Sequence, residues 1–312
     1  MNDSETKLLE AIHCVDIWKK KEITYEPGLG GITNNNWKVC VGGEPFFIKI
    51  PGKGAGETID RNNAHMADVI AAKEGIGPKV YYYFEATWVE IFEWLEGYRT
   101  LNYGDVFNPV LFHKIIDTIR KFHQHKGTVL PVKKSPFEQT NEMIRLAKEI
   151  GGYLPPEIDR MEWLTHQIED SIGSAGINFV PCHVDHWTAN YLYNDDTKDL
   201  KLTDFEYASM SDIGWDFSGI STTNYFTEAM DVEWIRTYFG EFDEVQFARM
   251  KLFKLLSDIS WSMWSSVQIT KSSVKSFDYY MWMGTKLTRL RASWNDPRLD
   301  YWLNLVKNSP VN

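Results

Sequence analysis

The residue types required for phosphoryl transfer stand within one short stretch of this sequence. Asp185 precedes Asn190 by five residues, and Asp204 follows after a predicted β-hairpin. A carboxylate can orient and deprotonate an attacking hydroxyl group, while two further oxygen ligands can hold Mg²⁺ on the phosphates of ATP. The spacing of these three residues therefore indicates a phosphotransferase that uses ATP and Mg²⁺.

Other elements must position these side chains, and the first third of the chain is rich in predicted strands. They are short β-branched or aromatic runs bounded by Gly, Pro and Asn, at residues 25–26, 37–41, 46–50, 80–84 and 89–92. In the third run the period of two places Phe46, Ile48 and Ile50 on one face. Lys49 then points to the opposite face, where we expect a cleft.

Helical spacing of apolar residues predicts one helix among these strands and longer helices after them. The first covers Asp60–Glu74 and ends at Gly75. The later helices are predicted at 111–122, 136–150, 161–171, 247–267 and 279–294. We therefore expect an α+β architecture of two lobes that share a cleft: a small antiparallel β-sheet lobe with one helix, residues 1–95, and a larger, mainly helical lobe, residues 96–312.

Composition narrows the class of protein. An apolar fraction of 43% and a charged fraction of 24% are typical of a globular chain and exclude an integral membrane protein or a disordered one. The formal net charge of −10 argues against nucleic acid as a partner and suits a cationic small substrate. The three cysteines, Cys14, Cys40 and Cys182, form neither a disulfide framework nor a zinc-ligand pattern. Residues 1–18 lack the apolar stretch of a signal peptide, so we expect a cytoplasmic protein.

The motif around Asp185 resembles that of the choline and ethanolamine kinase family. Residues 183–190 read HVDHWTAN, 204–207 read DFEY, and Trp215-Asp216 follow. Residues 30–37, GGITNNNW, are similar to the family's phosphate loop, and 48–52, IKIPG, to its nucleotide-lysine strand. Asp60-Arg61 and 76–81, IGPKVY, fit as well. The resemblance covers nearly the whole chain and implies a bilobal, protein-kinase-like fold, related to that of the aminoglycoside phosphotransferases.

The resemblance also implies roles for individual residues. Asp185 would be the catalytic base, Asn190 and Asp204 the Mg²⁺ ligands, and His183 a brace for the catalytic loop. The residues implied to contact the nucleotide phosphates are Lys49 and, in the loop, Gly30, Gly31, Thr33 and Asn34. The adenine would bind to the backbone of Glu93 and Leu95.

Two positions depart from the family pattern. Ala64 stands where relatives carry a Glu that pairs with the nucleotide lysine, so Lys49 lacks its expected partner on this helix. Glu57, Asp60 and Asp68 are the possible substitutes from neighbouring turns, and positioning by the nucleotide alone is another option. In the catalytic loop, His186 and Trp187 replace smaller or aliphatic residues, which we interpret as packing under the loop.

The acceptor pocket is predicted from Trp261 and Trp264, three residues apart on one helix face. In the family this helix supplies aromatic walls for a quaternary ammonium, and Tyr279 and Trp282 on the next helix would add to them. Aromatic faces attract a trimethylammonium group through their quadrupole. The resemblance thus implies the phosphorylation of a small amino alcohol, with choline as the expected substrate.

Other functions share parts of this pattern. Ethanolamine would require carboxylate or carbonyl acceptors for its N–H groups, and an aminoglycoside kinase would line its acceptor site with many carboxylates. A pseudokinase that binds nucleotide or choline without catalysis is supported only by Ala64, and the presence of Asp185, Asn190 and Asp204 opposes it.

Overall fold

The computed structural model describes residues 3–28, 34–52, 59–272, 274 and 277–311, and its N-terminal part is built on an antiparallel sheet. Five strands follow one another in the order β1–β2–β3–β5–β4. They are β1 (Ile23–Pro27), β2 (Asn34–Val41), β3 (Glu44–Pro51), β4 (Val80–Phe84) and β5 (Val89–Glu93). Gly42 and Gly43 join β2 to β3 and both have positive φ, as a tight two-residue hairpin turn requires.

One face of this sheet is apolar and is covered by a helix that we did not predict. Phe46, Ile48 and Ile50 of β3 are buried in the core of the sheet. Helix α1 (Asp3–Cys14) packs onto the same core with residues such as Leu8. Lys49 lies on the opposite face, as the period of two predicted.

Helix α2 (Arg61–Lys73) connects the sheet to the rest of the chain. The Asp60 side chain caps it by accepting a hydrogen bond from the Asn63 backbone at 3.0 Å. The Asn63 side chain in turn donates to the Ala208 carbonyl at 2.7 Å and accepts from the Val132 backbone at 3.0 Å. The start of α2 is therefore fixed against the segment that follows Asp204.

The rest of the chain is mainly helical and surrounds one long buried helix, α8. The helices are α3 (Pro109–His123), α4 (Pro136–Glu149), α5 (Ile158–Ala175), α6 (Ile213–Thr223), α7 (Glu228–Phe239), α8 (Glu244–Lys271), α9 (Tyr279–Ser293) and α10 (Leu299–Lys307). Helices α4, α6, α9 and α10 pack against α8. Within the described part of the chain, no helix combines the length and apolar character needed to cross a membrane.

Two small sheets bring the segments around Asp185 and Asp204 together. One has the strand order β6 (Tyr98–Thr100), β8 (Tyr191–Asn194), β9 (Leu200–Leu202), and the other pairs β7 (Phe179–Cys182) with β10 (Ser209–Asp212). Residues 183–190 connect β7 to β8, and residues 203–208 connect β9 to β10. Because each connection begins and ends on paired strands, the two loops lie side by side.

The predicted α+β class is confirmed, and the predicted strands and helices are found within a few residues of their expected bounds. Helices α1, α6, α7 and α10 were not predicted. Every residue of α6 is buried, so its sequence lacks the polar face that reveals an amphipathic helix. The lobe boundary at residue 95 stays a prediction.

Candidate active site

One buried carboxylate, that of Asp216, fixes the backbone of the loop of residues 183–190. Asp216, on α6, accepts hydrogen bonds from the backbone N–H groups of His183 and Val184 at 2.9 and 2.8 Å. It also lies 3.0 Å from His123 Nε2 and 3.1 Å from His186 Nε2. Burial alone would raise the pKa of Asp216, but the two imidazoles lower it well below its ordinary value. Asp216 is therefore ionised and fixes the start of the loop.

His183 links this loop to the one that carries Asp204. Its Nε2 donates to the Thr203 carbonyl at 2.9 Å. Burial, together with the neighbouring His186, lowers the pKa of His183 to about 3, so the ring is neutral at pH 7. His186 is also buried, and its Nδ1 lies 2.7 Å from the Tyr191 hydroxyl. Both histidines thus make structural contacts inside the loop.

Asp185 and Asn190 lie five residues apart on this loop, Asp185 partly exposed and Asn190 buried. The Asn190 amide nitrogen donates to the Asp185 backbone carbonyl at 2.9 Å. The Asn190 backbone carbonyl accepts from Thr203 N–H at 2.9 Å. Burial, and after it the negative charge of Asp204, raises the pKa of Asp185 to about 7. The Asp185 carboxyl can therefore accept a proton near neutral pH.

Lys49 reaches across the cleft to the loop of residues 203–208. Its Nζ lies 3.0 Å from Asp204 Oδ1 and 3.6 Å from Glu206 Oε1. Burial would lower the pKa of Lys49, but these two carboxylates raise it above its ordinary value. Asp204 has a left-handed backbone conformation, φ 67°, which is rare for a residue with a side chain and is frequent at functional sites.

Glu206 joins the same group of charges and was not among the predicted site residues. It forms an ion pair with Arg61, at the start of α2, and accepts from the Asn34 amide nitrogen at 2.6 Å. Asn34, from the predicted phosphate loop, therefore lies at this cluster. Gly30, Gly31 and Thr33 lie outside the described residues.

The structure shows what surrounds Lys49 in the absence of a Glu at position 64. Asp60 serves as the N-cap of α2, and Glu57 lies outside the described residues. Asp68 is buried near Lys49, and burial, with the neighbouring Glu90, raises the pKa of Asp68 well above its ordinary value. The ion pairs of Lys49 with described residues therefore come from the facing loop and not from α2.

The segment predicted to bind adenine connects the two parts of the fold. Glu93 ends β5, and its backbone N–H donates to the Lys79 carbonyl at 2.9 Å. The Leu95 carbonyl accepts from Tyr98 N–H at 3.4 Å, just before β6 begins.

The aromatic residues predicted for the acceptor pocket form one chain of ring contacts. Ring centroids are 5.6 Å apart for Trp261 and Trp264, and 5.7 Å apart for Trp264 and Tyr279. Phe277, which we did not single out, joins Tyr279 to Trp282, at 4.9 and 5.8 Å.

This aromatic chain contacts both the loop of residues 203–208 and the loop of residues 183–190. Tyr207, three residues after Asp204, lies 5.7 Å from Trp261 between ring centroids, and its hydroxyl accepts from Trp264 Nε1 at 3.2 Å. From the loop of residues 183–190, Trp187 lies 6.1 Å from Phe277, in the middle of the aromatic chain. The aromatic chain therefore contacts the two loops that carry Asp185 and Asp204. A cavity of about 120 Å³ lies on one side, lined by Tyr207, Trp261 and Trp264 among others.

This fold has a counterpart among solved structures. The crystal structure of a choline/ethanolamine kinase family protein from Mesorhizobium loti matches it with a TM-score of 0.82, 22% identity, and coverage of 97% of this chain and 99% of that one. The kinase-like fold expected from the sequence is confirmed.

The sequence comparisons define the family. The family model for choline/ethanolamine kinase matches residues 26–238. Mouse (Mus musculus) ethanolamine kinase 1 is 23% identical over 306 residues, covering 84% of this chain and 81% of that protein. Choline kinase B1 of Caenorhabditis elegans is 26% identical over 227 residues, covering 64% and 57%. The chain belongs to the choline/ethanolamine kinase family. It is a kinase whose acceptor is a small amino alcohol.

Proposed function

We propose that this protein transfers the γ-phosphoryl group of ATP to the hydroxyl group of choline. The observation that carries the proposal is the grouping of Asp185, Asn190, Asp204 and Lys49 in one cleft, beside a wall of aromatic rings. The grouping provides a base, metal-binding oxygens and a cation for phosphates, which are the parts that phosphoryl transfer requires.

Asp185 is the proposed catalytic base. It lies two residues before Trp187, which contacts the aromatic chain, and its raised pKa makes it a better proton acceptor at neutral pH than an ordinary aspartate. His183 is proposed to act only on the position of the loop, because its Nε2 is bound to the Thr203 carbonyl and its ring is neutral.

Asn190 and Asp204 are the proposed Mg²⁺ ligands. The Asn190 nitrogen is bound to the Asp185 carbonyl, so its side-chain oxygen remains for a metal, and the Asp204 carboxylate is about one-third exposed. These are hard oxygen donors of the kind that Mg²⁺ prefers. When bound, the metal would neutralise charge on the transferred phosphoryl group.

The nucleotide is proposed to bind between the five-stranded sheet and these loops. Lys49 would contact the phosphates, together with the loop that contains Gly30, Gly31, Thr33 and Asn34. The backbone of Glu93 and Leu95, where the two parts of the fold connect, would bind the adenine.

Choline is proposed as the acceptor because the pocket wall is built from π faces. Trp261, Trp264, Tyr279 and Trp282 lie in one series of ring contacts, which meets the two loops at Trp261 and Phe277. A trimethylammonium group has no N–H to donate, and each well-placed ring attracts it by about 0.5–2 kcal/mol.

The proposal is tested by measuring ADP release from MgATP with choline, ethanolamine and an aminoglycoside. We expect the highest kcat/KM with choline, and no release from the Asp185→Asn variant beyond the background rate. A higher kcat/KM with ethanolamine would overturn the choice of choline. Release with the aminoglycoside alone would overturn the proposed acceptor class.

A further inference from the structure

A lysine side chain of the protein itself, that of Lys286, lies against the aromatic chain. Lys286 lies one helical turn after Trp282 on α9, and its Nζ is 4.3 Å from the centroid of the Trp282 ring. This is the distance and position at which an ammonium group interacts with an aromatic face. The side chain is buried, with 1% of its residue surface exposed.

No carboxylate of the described residues forms an ion pair with Lys286. The carboxylate with the largest electrostatic effect on Lys286, Asp258 on α8, uses both of its oxygens for Arg289: one accepts from Arg289 Nε at 2.8 Å, and the other contacts Nη2. The remaining charges that face Lys286 are Arg289 itself, on α9, and Asp185, on the catalytic loop. Among the residues that the structure describes, the close partner of this buried amine is therefore the Trp282 ring.

Two cations cannot share this space without strong repulsion, because like charges that are close together in a partly desolvated pocket are only weakly screened. An amino alcohol brings its own positive charge to the same aromatic wall. Resting on the proposed function, we infer that Lys286 is a specificity-determining residue of the acceptor pocket, and that a cationic acceptor binds to the form in which Lys286 has released its proton to solvent.

The electrostatic surroundings make this release possible near neutral pH. Burial, and after it the positive charge of Arg289, lowers the pKa of Lys286 to about 7. At pH 7 about half of the molecules then carry the proton that choline must displace. Choline is a suitable probe because its own charge is permanent, so any proton released on binding comes from the protein.

The experiment is calorimetry of choline binding at pH 7 in two buffers with different ionisation enthalpies, with and without Mg²⁺ and a non-hydrolysable ATP analogue. We expect release of about half a proton per choline, and affinity about tenfold weaker at pH 6 than at pH 8, from the change in the neutral fraction of Lys286. The neutral isostere 3,3-dimethylbutanol should bind without proton release.

Variants identify the source of the proton, because Asp185 also titrates near pH 7. Lys286→Met should abolish the release and bind choline more tightly than the wild type at pH 6, whereas Asp185→Asn should retain the release. If Lys286→Met does not fold, the Asp185→Asn result decides alone: loss of the release would assign the proton to Asp185 and overturn the inference. Choline binding with no proton release would also overturn it and leave the proposed function intact. Absence of binding by both choline and ethanolamine would instead refute the proposed function.

Discussion

Replacing Asp216 by Asn should destabilise the protein and disorganise the catalytic loop. The carboxylate accepts from two backbone N–H groups, of His183 and Val184, at 2.9 and 2.8 Å. An asparagine keeps one oxygen but presents NH₂ to the second N–H group. A hydrogen bond to a charged group contributes about 1.5–3 kcal/mol, and a buried donor left unpaired costs about 1–3 kcal/mol. We therefore expect a loss of about 3–5 kcal/mol in the free energy of unfolding.

Urea unfolding measures this loss, and a second buried carboxylate provides the matched control. Asp231, on α7, is as buried as Asp216 and lies 2.6 Å from both Ser221 Oγ and Lys254 Nζ, away from the catalytic loop. Both Asp→Asn variants should unfold at lower urea concentration. Only Asp216→Asn should also lower kcat per folded molecule, by about tenfold to a hundredfold, because small displacements of a catalytic group have effects of this size.

The pH dependence of stability tests the same carboxylate. Since the pKa of Asp216 is lowered in the folded protein, ionised Asp216 stabilises the fold above the unfolded-state pKa of about 3.9, and this contribution is lost as the pH falls below it. The wild type should thus lose more stability than Asp216→Asn between pH 6 and pH 3. Equal acid sensitivity, or a loss below about 1 kcal/mol on substitution, would refute the anchoring argument.

Three further predictions concern the site itself. Asp185→Asn should lower kcat by at least about a hundredfold with ATP affinity largely unchanged, as steady-state kinetics and nucleotide titration will show; near wild-type kcat would exclude Asp185 as the base. Asp204→Ala should impair Mg²⁺-dependent turnover more than Asn190→Ala, because it removes a full charge from the metal site; an unchanged Mg²⁺ titration for Asp204→Ala would place the metal elsewhere. Trp264→Leu should raise the KM for choline by about twofold to thirtyfold, equivalent to about 0.5–2 kcal/mol, and leave the KM for ATP unchanged; a lower Tm with no selective effect on choline would indicate a packing role instead.

The local patterns of this sequence predicted the fold well where one face of an element meets the core. The alternation in β3 placed Lys49 opposite Ile48 and Ile50, and the spacing in α2 gave its bounds to within one residue. Helix α6 carries no such pattern, because it is surrounded by other elements on every side.

Contacts between distant segments were beyond sequence reasoning. An ion pair of Lys49 with Asp204, 155 residues away, has no local signal, so the sequence offered only acidic residues of α2 and its preceding turn, or the nucleotide itself, to position Lys49. Glu206 was visible in the DFEY stretch, but its contacts with Asn34 and Arg61 depend on how α2 is fixed against the loop of residues 203–208. The contact between Lys286 and Trp282 could also be expected from their spacing of four residues on one helix. The burial of the Lys286 amine could not, because it depends on the elements that pack around α9.

The two helices that carry the proposed acceptor-pocket residues differ in how freely their sequences can change. Helix α8 is buried from Phe247 to Val267 apart from a few positions, so Trp261 and Trp264 belong to the same element that supports the helical core. Helix α9 is exposed along much of its length, and Trp282 is only half-buried. Substitutions that broaden or shift the substrate range should therefore accumulate on α9, in natural divergence and in directed evolution alike. A library confined to α8 would lose most of its members to misfolding before any new acceptor could be selected.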